Sequence, residues 1–118
     1  MITRHHSNHR MSQVVEYPLS GFAVATAGVV ADDPNGTITE QTGNILEKID
    51  GLLADAGTDK LQITQVYVWL ASIGDFAAMN SVYDSWVSRG NEPARACVEA
   101  RLADPRLKVE IQVFALKA

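Results

Sequence analysis

Hydrophobic and polar positions alternate with a period of two in five stretches of the chain and recur every three or four residues in two others, with turn-forming residues between them. Met11 to Tyr17 sets Met11, Gln13 and Val15 against Ser12, Val14 and Glu16. After Pro18-Leu19-Ser20-Gly21 the chain returns from Phe22 to Gly28, which predicts a hairpin. Thr37-Ile38-Thr39-Glu40 has the spacing of a capping box. The apolar stripe that follows, through Ile45, Leu46, Ile49 and Leu53, predicts a helix ending at Gly57. Leu61 to Ala71 then carries Val66, Val68 and Leu70 on one face and Gln65, Tyr67 and Trp69 on the other, a strand covered on both sides. Ser72-Ile73-Gly74-Asp75 starts a second helix, whose buried stripe of Phe76, Met79, Asn80, Tyr83, Trp86 and Val87 stops at Gly90.

The last two strands carry the polar chemistry. In Pro93 to Leu102, alternation places Arg95, Cys97, Glu99 and Arg101 on one face and Ala96, Val98, Ala100 and Leu102 on the other, and a second strand runs from Lys108 to Val113. Read as a hairpin, they set Glu99 opposite Glu110 and Phe114 opposite Arg95. The order β-β-α-β-α-β-β with right-handed crossovers puts both helices on one side of a sheet. The other side would hold Tyr67, Trp69, Arg95, Cys97, Glu99, Glu110, Gln112 and Phe114, a mixture that self-association would cover.

Composition narrows the class. With 118 residues and 47% hydrophobic content, the chain suits one domain over 11–118, with 1–10 as a flexible polar tail. No apolar run is long enough to span a membrane, and the N-terminus lacks the apolar middle of a secretory signal, so a cytoplasmic location is expected. A net charge of −4 with no basic block argues against a nucleic-acid partner. Cys97 is the only cysteine, and the three histidines lie in the tail without a thiolate or carboxylate to complete a metal site. Asp32-Asp33-Pro34-Asn35-Gly36 reads as turn chemistry rather than as a carboxylate pair.

Arg95 is flanked by Ala94 and Ala96, which leave its guanidinium unobstructed, and its planar fork suits a carboxylate; an ion pair with a neighbouring Asp or Glu is the structural alternative. Glu110 can hold and deprotonate a water, or pair with Arg101 or Lys108. Cys97 has no histidine base near it in sequence, which favours a lining thiol over a nucleophile. Asn80 is a polar residue in an apolar stripe and needs partners for its amide.

Asn-Ser-Val-Tyr at 80–83, Pro-Ala-Arg-Ala-Cys-Val-Glu at 93–99 and Lys-Val-Glu-Ile at 108–111, with the helix from Glu40 to Gly57, resemble the Rid family of reactive intermediate deaminases, also called the YjgF family. The resemblance implies a chorismate-mutase-like α+β fold, one mixed sheet with two helices on one face. It also implies a homotrimer with a barrel core and inter-subunit clefts. Its deaminase branch hydrolyses enamines and imines such as 2-aminoacrylate to 2-keto acids and ammonia, without cofactor. By residue match, Arg95 corresponds to the arginine that binds the substrate carboxylate and Glu110 to the glutamate associated with water activation, while Cys97 and Asn80 fall on recurring positions.

Two segments depart from that pattern. Arg10-Met11-Ser12-Gln13 stands where the archetypal deaminases have Pro-Tyr-Ser-Gln, and Ala27-Gly28-Val29 where they have Ser-Gly-Gln. Met11, Ala27 and Val29 thus lack a phenol, a hydroxyl and an amide. Hydrolysis of a small 2-imino acid is the expected activity, with Arg95 as anchor, Glu110 on the water, and backbone amides near Gly28 and Cys97 positioning the substrate. A non-catalytic or regulatory trimer that binds small carboxylates is the alternative, and an amidase relative a third reading. In the hairpin register Arg95 and Glu110 lie about 13 Å apart, so one cleft is expected to draw them from different subunits or to reach Glu110 only through water.

Overall fold

The computed structural model describes residues 1–118. Eight strands and helices follow in the order β1 (Thr3–His5), β2 (Val14–Glu16), β3 (Phe22–Ala25), α1 (Ile38–Asp55), β4 (Ile63–Leu70), α2 (Phe76–Trp86), β5 (Ala94–Glu99) and β6 (Val109–Lys117). The capping box forms as its spacing predicts: the Thr37 hydroxyl accepts from the Glu40 amide, and the Glu40 carboxylate accepts from the Thr37 amide. Gly57 follows the last turn of α1 with a φ of +83°, a backbone region that side chains disfavour, whereas α2 stops short of the expected Gly90: Val87 already leaves the helical region at ψ 138°, and Gly90 (φ +84°) lies in the turn beyond.

The main sheet is mixed, in the order β3-β6-β4-β5, with β4 parallel to β5 and antiparallel to β6. Val66, Val68 and Leu70 of β4 and Val109, Ile111 and Val113 of β6 share one face. They pack with Ile45, Ile49 and Leu53 of α1 and Met79 and Tyr83 of α2 into a single core. Gln41 on the first turn of α1 is buried and pins two loops to the helix. Its amide donates to the carbonyls of Pro34, Gly36 and Arg106, and its oxygen accepts from the Lys108 amide just before β6. The opposite face of the sheet, with Tyr67, Trp69 and Phe114 clustered at ring separations of 6.2 and 5.8 Å, has no helix over it.

Three expectations are corrected. Arg95 and Glu110 do not lie on a hairpin, because β4 sits between β5 and β6: Glu99 is level with Leu70, and Glu110 with Trp69. Met11 to Tyr17 does not pair with the strand from Phe22; β2 pairs with β1, and β3 joins the edge of β6. The first ten residues are not a free tail. Thr3–His5 is a strand, Arg4 donates to the Leu61 carbonyl at 3.0 Å, and Arg10 forks onto Asp84. A three-residue polar strand is too short for periodicity to expose, and the side-chain partners of Arg4 and Arg10 lie 57 and 74 residues away along the chain.

Candidate functional site

The register of β5 decides which way its side chains face. Arg95 pairs with Val66 and Cys97 with Val68, so both project to the helix-covered side, while Ala94, Ala96 and Val98 share the open side with Gln65, Tyr67 and Trp69. The expected placement of Arg95, Cys97 and Glu99 on the open face is therefore reversed. As the edge strand, β5 lies where α2 covers the sheet only partly, so its inward positions take a guanidinium and a thiol in place of aliphatic residues.

Arg95 rests on α2. Its guanidinium carbon lies 4.6 Å from the ring centroid of Tyr83 and 5.9 Å from that of Phe76, contacts in which the ring faces attract the cation. None of the chain's ion pairs involves Arg95, and its Nη1 is buried with no partner in the chain. Burial pulls its pKa below the ordinary arginine value, with Tyr83 and Cys97 acting in the opposite sense. A guanidinium remains charged under such a shift, so the site holds a partly desolvated cation without a carboxylate of its own.

Polar atoms without partners collect on the same face of α2. Both amide atoms of Asn80 and the hydroxyl of Tyr83 are buried and unpaired within the chain. Tyr83 was legible only as a core residue; its i, i+3 spacing from Asn80 was the signal that it shares the polar cluster. Met11 lies next to this region, because Ser12 bridges to Ala94 of β5 and its amide donates to the Pro93 carbonyl. Half-buried Cys97 has its thiol pKa pushed up by burial, an effect Arg95 partly offsets. A raised pKa means less thiolate, so iodoacetamide at pH 8 should label Cys97 several-fold more slowly than free cysteine. Labelling as fast as that of free cysteine would contradict the assignment of a lining thiol.

Glu110 belongs to a second cluster. It lies on the open face, and its carboxylate sits against Gly28, where an added Cβ would collide with Oε2 and lie 2.9 Å from Cδ. Ala27 and Gly28 are held between two attachments to β6: Thr26 with Val113, and Val29 with Ile111. The Gln112 amide donates to the Thr26 carbonyl and secures the same segment. Neither Arg101 nor Lys108 pairs with Glu110. Phe114 packs edge-on against Tyr67 on this face, so it does not wall the pocket of its own chain's Arg95.

The structure thus brings Arg95, Cys97, Asn80 and Met11 to one region and Ala27, Gly28 and Glu110 to another. The two lie on opposite faces of the sheet, and β5 and β6 are two strand spacings, about 10 Å, apart. A concavity of about 260 Å³ on the open face is lined by Tyr17, Gln65, Tyr67 and Ala94–Ala96, and includes neither Asn80 nor Glu110. No three His, Cys, Asp or Glu side chains gather at metal-ligand spacing. No helix is long and apolar enough to cross a membrane.

A mixed sheet backed by two helices on one face is an α+β fold of the kind found in solved YjgF-family structures. The chain belongs to the Rid/YjgF family, whose model, described as Endoribonuclease L-PSP, matches residues 1–117. A RutC family protein of Haemophilus ducreyi is 43% identical over 115 residues, covering 98% of this chain and 96% of that protein. A YjgF-family structure from Neisseria meningitidis superposes with a TM-score of 0.79 at 40% identity, covering 100% of this chain and 96% of that one. A solved Pseudomonas aeruginosa structure gives 0.80 at 42% identity, with 100% of both chains covered.

Proposed function

We propose that the protein hydrolyses small 2-imino acids and their enamine tautomers to 2-keto acids and ammonia. The observation that carries this reading is Arg95: a half-buried guanidinium, stacked on Tyr83, with a buried Nη1 and no carboxylate partner. Burying a cation without its counter-ion is costly, and a ligand carboxylate would relieve that cost through a bidentate pair. Cys97 and the orphan amide of Asn80 line the same end.

Water adds to the C2 carbon of the imine while a carboxylate takes its proton. The imine nitrogen gains a proton, the tetrahedral carbinolamine collapses, and ammonia leaves with the 2-keto acid behind. Glu110 is the group for that water, held by the Gly28 segment in a position free of ion pairs. Since Glu110 and Arg95 of one chain face opposite ways, a complete cleft needs a second copy. The uncovered face with Tyr67, Trp69 and Phe114 is the surface on which copies would meet, and the homotrimer of the family resemblance is the assembly we propose. A nuclease role fits less well, since the chain carries a net charge of −4 and no basic block.

The side chains of Met11 and Ala27 offer no hydrogen-bond donor, and this favours one alternative: a carboxylate-binding trimer without catalysis. A pyridoxal-phosphate-dependent dehydratase acting on threonine or serine supplies the unstable imine in situ. Adding this protein should speed keto-acid release beyond the spontaneous rate. Unchanged release together with calorimetric binding of 2-oxobutanoate would select the binding protein instead.

A further inference from the structure

We propose that Arg10 determines specificity at the Arg95 pocket, selecting small monocarboxylates that carry a neutral hydrogen-bond acceptor, such as a carboxamide, at their far end. This inference rests on Arg95 being the carboxylate anchor. Arg10 donates from Nε and Nη2 to the two oxygens of Asp84 at 2.8 Å each. That geometry uses one edge of the fork and leaves Nη1 and the second proton of Nη2 unspent.

Arg10 and Arg95 share a platform. Each guanidinium carbon lies 5.9 Å from the centroid of the Phe76 ring, so the two are no more than about 12 Å apart. Each also acts electrostatically on the Tyr83 hydroxyl. A five-carbon acid is long enough to reach from one guanidinium to the other with a hydrogen bond at each end. Met11, the next residue along, adds no donor. Arg10 is therefore the polar group that meets the far end of the ligand, at a position where the archetypal deaminases carry proline.

Charge decides what that far end can be. Asp84, whose pKa is depressed chiefly by its hydrogen bond with Arg10, already neutralises Arg10. Arg95, Arg10 and Asp84 together carry one net positive charge. One ligand carboxylate balances it. A second would add an uncompensated anion beside Asp84 in a partly desolvated site, whereas a carboxamide oxygen can accept from Arg10 without adding charge.

Three acids of the same shape separate these terms: glutaramate, with a carboxamide end; 5-methylhexanoate, with an isopropyl end; and glutarate. Titrated calorimetrically into the protein at pH 8, glutaramate should bind about tenfold tighter than either of the others. Arg10→Met should erase that preference, and so should Arg10→Met combined with Asp84→Asn, which removes the carboxylate the single variant would expose. Equal affinities in the unmodified protein, or a preference that survives both variants, would overturn the role of Arg10 and leave the anchor standing. Acids that bind Arg95→Ala as well as they bind the unmodified protein would overturn the anchor, and this inference with it.

Discussion

Arg95→Ala should abolish the acceleration of keto-acid release and weaken small-acid binding at least about 100-fold, with little change in thermal stability. The activity effect is large because a bidentate, partly desolvated guanidinium–carboxylate pair holds the substrate and fixes its orientation. The stability effect is small because opposing terms meet at Arg95. The stack on Tyr83 and Phe76 contributes about 1 kcal/mol, and the desolvation of an unpaired cation acts against it. Arg95→Lys keeps the charge and loses the planar fork, so it should recover little of the activity. A variant that kept its activity would mean that the carboxylate is held elsewhere.

Gly28→Ala should produce a loss of comparable size from the other side of the site. The backbone at Gly28 is not in the positive-φ region, so alanine is tolerated conformationally. Its methyl group, however, would occupy the space of the Glu110 carboxylate, whose Cδ and Cγ lie 2.9 and 3.3 Å from that Cβ position. The side chain is flexible and would swing away, leaving the fold intact and the carboxylate misplaced. Turnover should fall about 100-fold or more, as expected for loss of a general base, while acid binding through Arg95 persists. Full turnover in this variant would show that the observed position of Glu110 is not the one used for chemistry.

Most of the secondary structure was legible because it rests on local rules. The capping box at Thr37, the stripes of α1 and α2 and the alternation of β4 each depend on residues a few positions apart. Strand order is not local. Five residues between two alternating stretches suggested a hairpin, and only the sheet shows β4 inserted between β5 and β6. That error also inverted the facing of β5: Ala96 and Val98 look like core positions and Arg95 and Cys97 like surface, whereas the register with Val66 and Val68 requires the reverse. Arg95 and Glu110 themselves were found from their residue types and the family resemblance. The rings of Tyr83 and Phe76 against Arg95, and the Arg10–Asp84 pair beside them, were missed because they converge from separate segments, and no spacing records that. The proposal that a cleft draws on two chains now rests on a different observation: Arg95 and Glu110 on opposite faces of a sheet rather than distance along a hairpin.

Subunit complementation tests that proposal most directly. Arg95→Ala and Glu110→Gln are each expected to be inactive as pure proteins. Unfolded together and refolded as a mixture, with hybrid assemblies confirmed by native mass spectrometry, they should regain measurable activity. A cleft that takes Glu110 from one chain and Arg95 from another can then form with both residues intact. Hybrids that form and remain as inactive as the two parents would contradict the shared cleft and place both functions within a single chain.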